Sequence, residues 1–230
     1  MSFSKPAHRA IALLLQRLDV RLFTRAECYF AGGTAIVLML DEYRESRDVD
    51  FLCASAEGYR LLRAAAFDSG LAGLMAKPPR ALREMRADQY GIRAIFEVAG
   101  APIKFEIVRE ARIGLAGSLD PAFGVPLLAR SDLYAEKLLA IADRGMDRSV
   151  LCRDLIDLCA MQAKWGATPA AATHKAENAY GKRTIAGGLR DASRLLADSS
   201  YRQKCFTQLR LEPWAREAVE SKLRAAPRRR

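Results

Sequence analysis

Histidine is almost absent from the chain. Only His8 and His174 occur in 230 residues, which weighs against chemistry built on several imidazoles. The five cysteines, Cys28, Cys53, Cys152, Cys159 and Cys205, are odd in number and include no Cys-x-x-Cys pair. Neither a disulfide framework nor a zinc site is supported. Cys152 and Cys159 fall in an apolar helical pattern and read as small buried hydrophobes. No apolar run is long enough to span a bilayer, and no apolar stretch follows a basic start at the N-terminus. We therefore expect a protein of a reducing cytoplasm with no membrane partner. Acidic residues are in deficit, with 27 Asp and Glu against 37 Lys and Arg, a net charge of +10. The excess is spread along the chain, with a local run at Arg228, Arg229 and Arg230 in what reads as a basic tail. Such a charge suits polyanionic partners, nucleic acid first, and it equally suits plain solubility.

Hydrophobic residues make up 50% of the chain, enough for a substantial core. Pro6 to Leu18 has helical apolar spacing with proline at its start. Cys28 to Ala31 reads as a short buried strand, Asp48 to Cys53 as a strand and Tyr59 to Phe67 as a helix closed by Asp68-Ser69-Gly70. Gln89 to Ala99 and Ile103 to Val108 read as a hairpin joined through Gly100-Ala101-Pro102. Arg109 to Pro126 is rich in glycine and proline and reads as a connecting loop. Beyond Leu127 the spacing turns helical, with further helices predicted near 170–178, 184–196 and 213–223, and no strand after Val125. The prediction is an α+β protein: a mixed-sheet α/β core over residues 1–126 and an all-helical half over 127–230.

The stretch from Tyr29 to Leu52 organises the rest. An apolar approach leads to Gly32-Gly33-Thr34, then to an apolar run and a charged turn, then to Asp48-Val49-Asp50-Phe51. Glycines at a helix start let a phosphate approach free backbone N–H groups, and Thr34 is placed to cap that helix. The same glycines also suit a plain strand-to-helix turn. No lysine follows in the place a P-loop needs. Asp48 and Asp50 alternate with Val49 and Phe51, so the two carboxylates share one strand face. They repel unless a cation or water lies between them, and magnesium takes such oxygens together with substrate phosphates. A solvated edge strand would show the same spacing. A third carboxylate would complete a two-metal site or accept a proton. Glu106 alternates with Phe105 and Ile107 and is the first candidate, with Glu97 the second. In the helical half Lys137 and Arg144 lie seven residues apart, on nearly one helix face. Arg153, Asp154 and Asp157 suit an intrahelical ion-pair cluster.

Taken in order, Gly32-Gly33-Thr34, Arg44-x-Ser46-x-Asp48-Val49-Asp50-Phe51, Ser131 to Arg144 and Arg153-Asp154-x-x-Asp157 resemble the AbiEii-type nucleotidyltransferase family. Its members are toxin components of type IV toxin–antitoxin and abortive-infection systems. The resemblance spans about residues 28–160 and departs from the family where its usual glycine-histidine is Glu42-Tyr43. It implies a DNA polymerase β-like nucleotidyltransferase core. It further implies Asp48 and Asp50 as metal ligands with Glu106 as third acid, and Gly32, Gly33 and Thr34 on the nucleotide phosphates, with Arg44 and Ser46 in the same site. Lys137 would reach the triphosphate and Asp154 or Asp157 would organise that wall, so that the helical half completes the nucleotide site. The cofactor would be Mg²⁺, with Mn²⁺ as an alternative, and the substrate a nucleoside triphosphate (NTP).

The activity so implied moves a nucleoside monophosphate from an NTP to an acceptor hydroxyl. The expected acceptor is a tRNA 3′ end or other RNA. A protein or a small molecule such as an antibiotic is the alternative, as is a non-catalytic RNA- or partner-binding module of the same fold. A cognate antitoxin protein is the further expected partner. Lys175, Lys182, Arg183, Arg190 and Arg194 in the helical half are expected to track an RNA backbone.

Overall fold

A proline at the first turn and apolar residues at helical spacing form α1 (Pro6–Leu15), which buries Ala7, Ala10, Ile11, Leu14 and Leu15. Each large side chain so buried contributes about 1.5–3 kcal/mol. The helix stops three residues short of the predicted Leu18, whose backbone instead bridges to Met75. Asp19 then opens α2 (Val20–Arg25) by accepting from the Leu22 N–H at 3.0 Å, a capped helix too short to show as a period in sequence. The computed structural model describes residues 3–225, and the predicted basic tail at Arg228–Arg230 lies outside them.

Two compact units divide the chain: Met1–Leu38 with Ser46–Ala129, and Met39–Glu45 with Arg130–Arg230. The first is built on one eight-stranded sheet. Its strands are β1 (Cys28–Ala31), β2 (Asp48–Cys53), β3 (Arg80–Ala81), β4 (Arg86–Ala87), β5 (Ile92–Val98), β6 (Ala101–Arg109), β7 (Gly117–Asp120) and β8 (Val125–Leu128). They lie in the order β3-β5-β6-β2-β1-β8-β7, with β4 also on β5. The β2–β6 and β1–β8 pairs are parallel and the others antiparallel, which makes the sheet mixed. One face of β2, β5 and β6 buries Val49, Phe51, Ala94, Phe96, Ile103, Phe105 and Ile107. The predicted β5–β6 hairpin is present, turning through Ala99 and Gly100, both at positive φ. The segment predicted as one loop from Arg109 to Pro126 instead holds β7 and the start of β8. Its glycines and prolines mark turns around those strands, and β8 runs on past Val125 to Leu128.

Between β1 and β2 runs α3 (Gly32–Met39), and after β2 comes α4 (Ala56–Ser69), capped by Ser55 through the Gly58 N–H at 3.0 Å. The second unit is helical: α5 (Arg130–Arg144), α6 (Arg153–Trp165), α7 (Ala170–Tyr180), α8 (Lys182–Ala197), α9 (Ser199–Gln208) and α10 (Pro213–Ala225). Mixed sheet followed by helices is the α+β class that the sequence predicts. The polar face pattern of α9, with only Tyr201, Cys205 and Phe206 buried, kept that helix out of the sequence reading. All five cysteines are buried free thiols. Among the described residues no helix is long and apolar enough to cross a membrane.

Candidate active site

In the first unit, β1 leads directly into α3, and the helix begins at Gly32, at φ +71°. The register pairs Ala31 with Asp50, which lays Gly32 against that carboxylate. A Cβ at Gly32 would stand 2.7 Å from Asp50 Oδ2, so only glycine fits there. Thr34 therefore sits inside the first turn and is not the cap expected of it. Its Oγ1 lies 2.7 Å from Ser46 Oγ. The Ser46 N–H donates to Nε2 of His8, a fully buried ring on α1, at 3.2 Å. His8 is a positioning residue that the sequence did not reveal, because a lone histidine on an apolar helix face looks like packing.

Asp48 and Asp50 stand half-buried on the polar face of β2, while Val49 and Phe51 fill the core. Across the parallel β2–β6 pair, Asp48 is opposite Lys104 and Asp50 opposite Glu106. Glu97 lies on β5, one strand farther from β2, and pairs with Arg80 at 3.0 Å. Both Glu106 oxygens are engaged: Oε1 accepts from Arg93 Nε and Oε2 from Lys104 Nζ, each at 2.7 Å. Burial pushes the Glu106 carboxyl up, but Lys104 and Arg93 outweigh it and hold the group below its ordinary value. Lys104 is shifted upward against its own partial burial, by Glu106 and then by Asp48 and Asp50.

This donor set bears directly on magnesium. Among the described residues no group of three or more His, Cys, Asp or Glu side chains is arranged to hold a metal ion. Magnesium does not need such a cage, since it binds through one or two carboxylates plus phosphates and waters. Asp48 and Asp50 fit that pattern, being hard oxygens on one face beside a glycine that leaves room. Glu106 has its oxygens turned to two cations.

In the second unit, the remaining predicted residues form one buried network. Arg44 grips Asp157 with both ends of its fork, Nε to Oδ1 at 2.7 Å and Nη2 to Oδ2 at 2.9 Å. The Tyr43 hydroxyl donates to the same Oδ1 at 2.5 Å. Lys137 Nζ reaches Asp157 Oδ2 at 2.7 Å and Asp154 Oδ1 at 2.8 Å. Arg144 closes the chain on Asp154, Nε to Oδ2 at 2.7 Å and Nη2 to Oδ1 at 3.0 Å. The partners of Asp154 and Asp157 thus come from α5 and from the 39–45 segment, and the intrahelical cluster with Arg153 expected from spacing does not form. A bidentate buried partner is stronger than an exposed one on the same helix. Burial raises the Asp157 carboxyl, but Arg44 and Lys137 bring it below its ordinary range. Burial likewise opposes the charge of Lys137, which Asp154 and Asp157 more than restore. Three cations face two carboxylates, a local sum of +1, and Arg144 is the half-exposed member.

Of the residues predicted to form one site, Gly32, Gly33, Thr34, Ser46, Asp48, Asp50 and Glu106 belong to the first unit. Arg44, Lys137, Asp154 and Asp157 belong to the second. Within each unit the structure brings these side chains into contact or register.

A family model described as nucleotidyl transferase AbiEii toxin, type IV toxin–antitoxin system, matches residues 13–226. The crystal structure of JHP933 from Helicobacter pylori is similar at 15% identity and a TM-score of 0.42, with 97% of this chain and 95% of that chain covered. An antigenic nucleotidyltransferase-like protein from Paracoccidioides brasiliensis is similar at 13% identity and a TM-score of 0.39, covering 97% of this chain and 94% of its own. No curated protein matches.

Proposed function

Because the chain belongs to the AbiEii nucleotidyltransferase toxin family, we propose that it transfers a nucleoside monophosphate from an NTP to an acceptor hydroxyl, with an RNA 3′ end, such as that of tRNA, as the acceptor. The family also implies a cognate antitoxin as protein partner. The observation that carries the reading is the pair Asp48 and Asp50 on one face of β2, with Gly32 laid so close to Asp50 that a side chain is excluded.

In this reading Asp48 and Asp50 hold Mg²⁺, which when bound supplies positive charge to the reacting phosphate oxygens. The first backbone N–H groups of α3 donate to a phosphate that Gly32 and Gly33 allow to come close. Thr34 and Ser46 add a hydroxyl pair whose position His8 fixes. The acceptor oxygen forms a bond to the α-phosphorus while the α–β phosphoanhydride bond breaks. The electron pair leaves with pyrophosphate, and the hydroxyl proton passes to a base. Glu106 is the acid next to Asp50 in the sheet. Held by two cations it is a weak base, so Lys104 releases it before it takes a proton. Lys137 is a positioning residue of the second unit, its buried ammonium engaged by Asp154 and Asp157 within the network that Arg44 and Arg144 complete.

The test is incubation with Mg²⁺, each α-labelled NTP and total tRNA, beside a protein extract and an aminoglycoside. Label should enter RNA, and Asp50→Asn should abolish it together with the Mn²⁺-induced rise in melting temperature. Label in protein or in the small molecule would move the acceptor. No label anywhere would refute the transferase reading.

A further inference from the structure

The sheet face that carries Asp48 and Asp50 does not end at Glu106. Cross-strand register keeps opposed residues on the same face. Glu106 is opposite Arg93 on β5, and Arg93 is opposite Arg86 on β4. Along this row the face changes sign outward, from carboxylates on β2, through Lys104 and Arg93, to Arg86, with the carboxylate of Asp88 beside Arg93 at 3.7 Å at its outer end. Arg80 reaches the same face from β3, where it pairs with Glu97. Arg83, in the turn between β3 and β4, is exposed, and no carboxylate pairs with Arg83 or Arg86 among the described residues. Asp88 closes the next turn by accepting from the Tyr90 and Gly91 N–H groups at 2.7 and 3.0 Å. That turn leaves Tyr90 69% exposed at its tip, beside the arginines.

We propose that this margin, from Arg83 and Arg86 with Tyr90 inward past Arg93 and Lys104, holds the single-stranded end of an RNA acceptor. Phosphates lie on the arginines, one base stacks on Tyr90, and the terminal hydroxyl reaches Asp48 and Asp50. The inference rests on the transferase reading above and adds where the acceptor lies. Three inter-strand steps of about 4.8 Å separate β2 from β4, roughly 14 Å, the reach of a few nucleotides. Arginine and aromatic side chains together form the usual platform for single strands. An acidic protein offers no terminal hydroxyl followed by regularly spaced charges, so charge order along the face favours RNA. In the helical unit Lys175 is already tied to Asp132, and Arg190 and Arg194 to Asp191, which leaves exposed Lys182 and Arg183 as the rival pair there.

The test is fluorescence anisotropy with a labelled single-stranded oligoribonucleotide bearing a free 3′ hydroxyl, without nucleotide. Arg83→Glu with Arg86→Glu should weaken binding tenfold or more. It should also flatten the log–log salt slope by about 1.4, two contacts at about 0.7 each. Tyr90→Ala should cost roughly five- to a hundredfold. The Mg²⁺–ATP-induced rise in melting temperature should survive both, which also shows that the variants fold. Unchanged RNA affinity in the double variant, or a larger loss from charge reversal at Lys182 and Arg183, overturns the proposal while leaving the transferase reading intact. If poly-glutamate displaces the oligonucleotide at equal charge concentration, the surface serves an acidic protein and the RNA assignment falls. RNA binding that depends on Arg83, Arg86 and Tyr90 but is never followed by transfer would support the track and refute the transferase.

Discussion

Lys104 occupies an unusual position for a lysine, opposite Asp48 in register and bonded to Glu106 at 2.7 Å. It adds positive charge beside Asp48 and Asp50 and shares Glu106 with Arg93. Lys104→Met keeps the aliphatic stem and removes that charge, so the carboxylates repel. The variant should melt at a lower temperature in chelator than the parent, and Mn²⁺ should raise its melting temperature by more than it raises the parent's. Calorimetric scans with and without Mn²⁺ check this, and equal metal responses would separate Lys104 from the metal site. Nothing in the sequence pointed to Lys104 or Arg93. Alternation identified Asp48, Asp50 and Glu106 as polar-face residues, but which cation stands opposite each acid depends on strand register, and register is a property of the assembled sheet. His8 was hidden for a related reason, since its partner is the Ser46 N–H, 38 residues away.

At the scale of elements, the turn before Tyr43 is the notable one. Asp41 and Glu42 both sit in the left-handed region, at φ +57° and +54°. That conformation costs a non-glycine residue about 1–2 kcal/mol. The resembled family carries glycine at the position of Glu42, and the backbone explains the preference. Glu42→Gly should leave stability within about 1 kcal/mol of the parent, whereas Glu42→Val, β-branched at positive φ, should cost about 1–3 kcal/mol more. Urea unfolding of the two variants decides it. The turn delivers Tyr43 and Arg44 to Asp157, and the network is a buried one. Arg44→Met leaves Asp157 with Lys137 and Tyr43 alone, which should cost about 3 kcal/mol. The folded-state carboxyls of Asp154 and Asp157 lie below the ordinary value of 3.8. Their contribution is therefore complete above about pH 4 and is lost as pH falls through the folded values. The gap between parent and Arg44→Met should accordingly narrow on acidification from neutral pH to about pH 2, as thermal melts would record. A gap that widens in acid would show that Arg44 acts through something other than Asp157.

For the molecule as a whole, periodicity was sufficient where elements are long. The β5–β6 hairpin, α5, α6, α8 and α10 were legible because each buries a regular apolar face. The two-residue strands β3 and β4 were not, having too few residues to show alternation, and β7 was masked by the glycines and prolines around it. The second unit's claim on residues 39–45 had no sequence signal, because nothing local to Arg44 announces a partner in α6. Net charge, +10 over the chain, has its consequence at this scale. RNA binding should weaken steeply with salt, by about 0.7 per phosphate contact in a log–log plot. Binding of a single Mg²⁺–nucleotide should respond less. Titrations of both ligands across a salt series check the contrast, and equal slopes would remove RNA phosphates as the use of that charge.

The chain passes between units three times, after Leu38, Glu45 and Ala129. On the ribosome this ordering becomes a delay. Arg44 is made 113 residues before Asp157, so at about 5–20 residues per second it waits roughly 6–23 s for its counter-ion. Until then the second unit cannot close on its buried arginine, however complete the sheet may be. A nascent chain arrested ahead of Asp157 should be cut after Arg44 by a trypsin-like protease that leaves this bond untouched in the released protein. The first unit's strands all precede Arg130, so they can pair during that interval. Synthesis thus has a built-in order in which the carboxylate-bearing sheet is ready first and the helical unit is completed only after Asp157 and the helices beyond it are made.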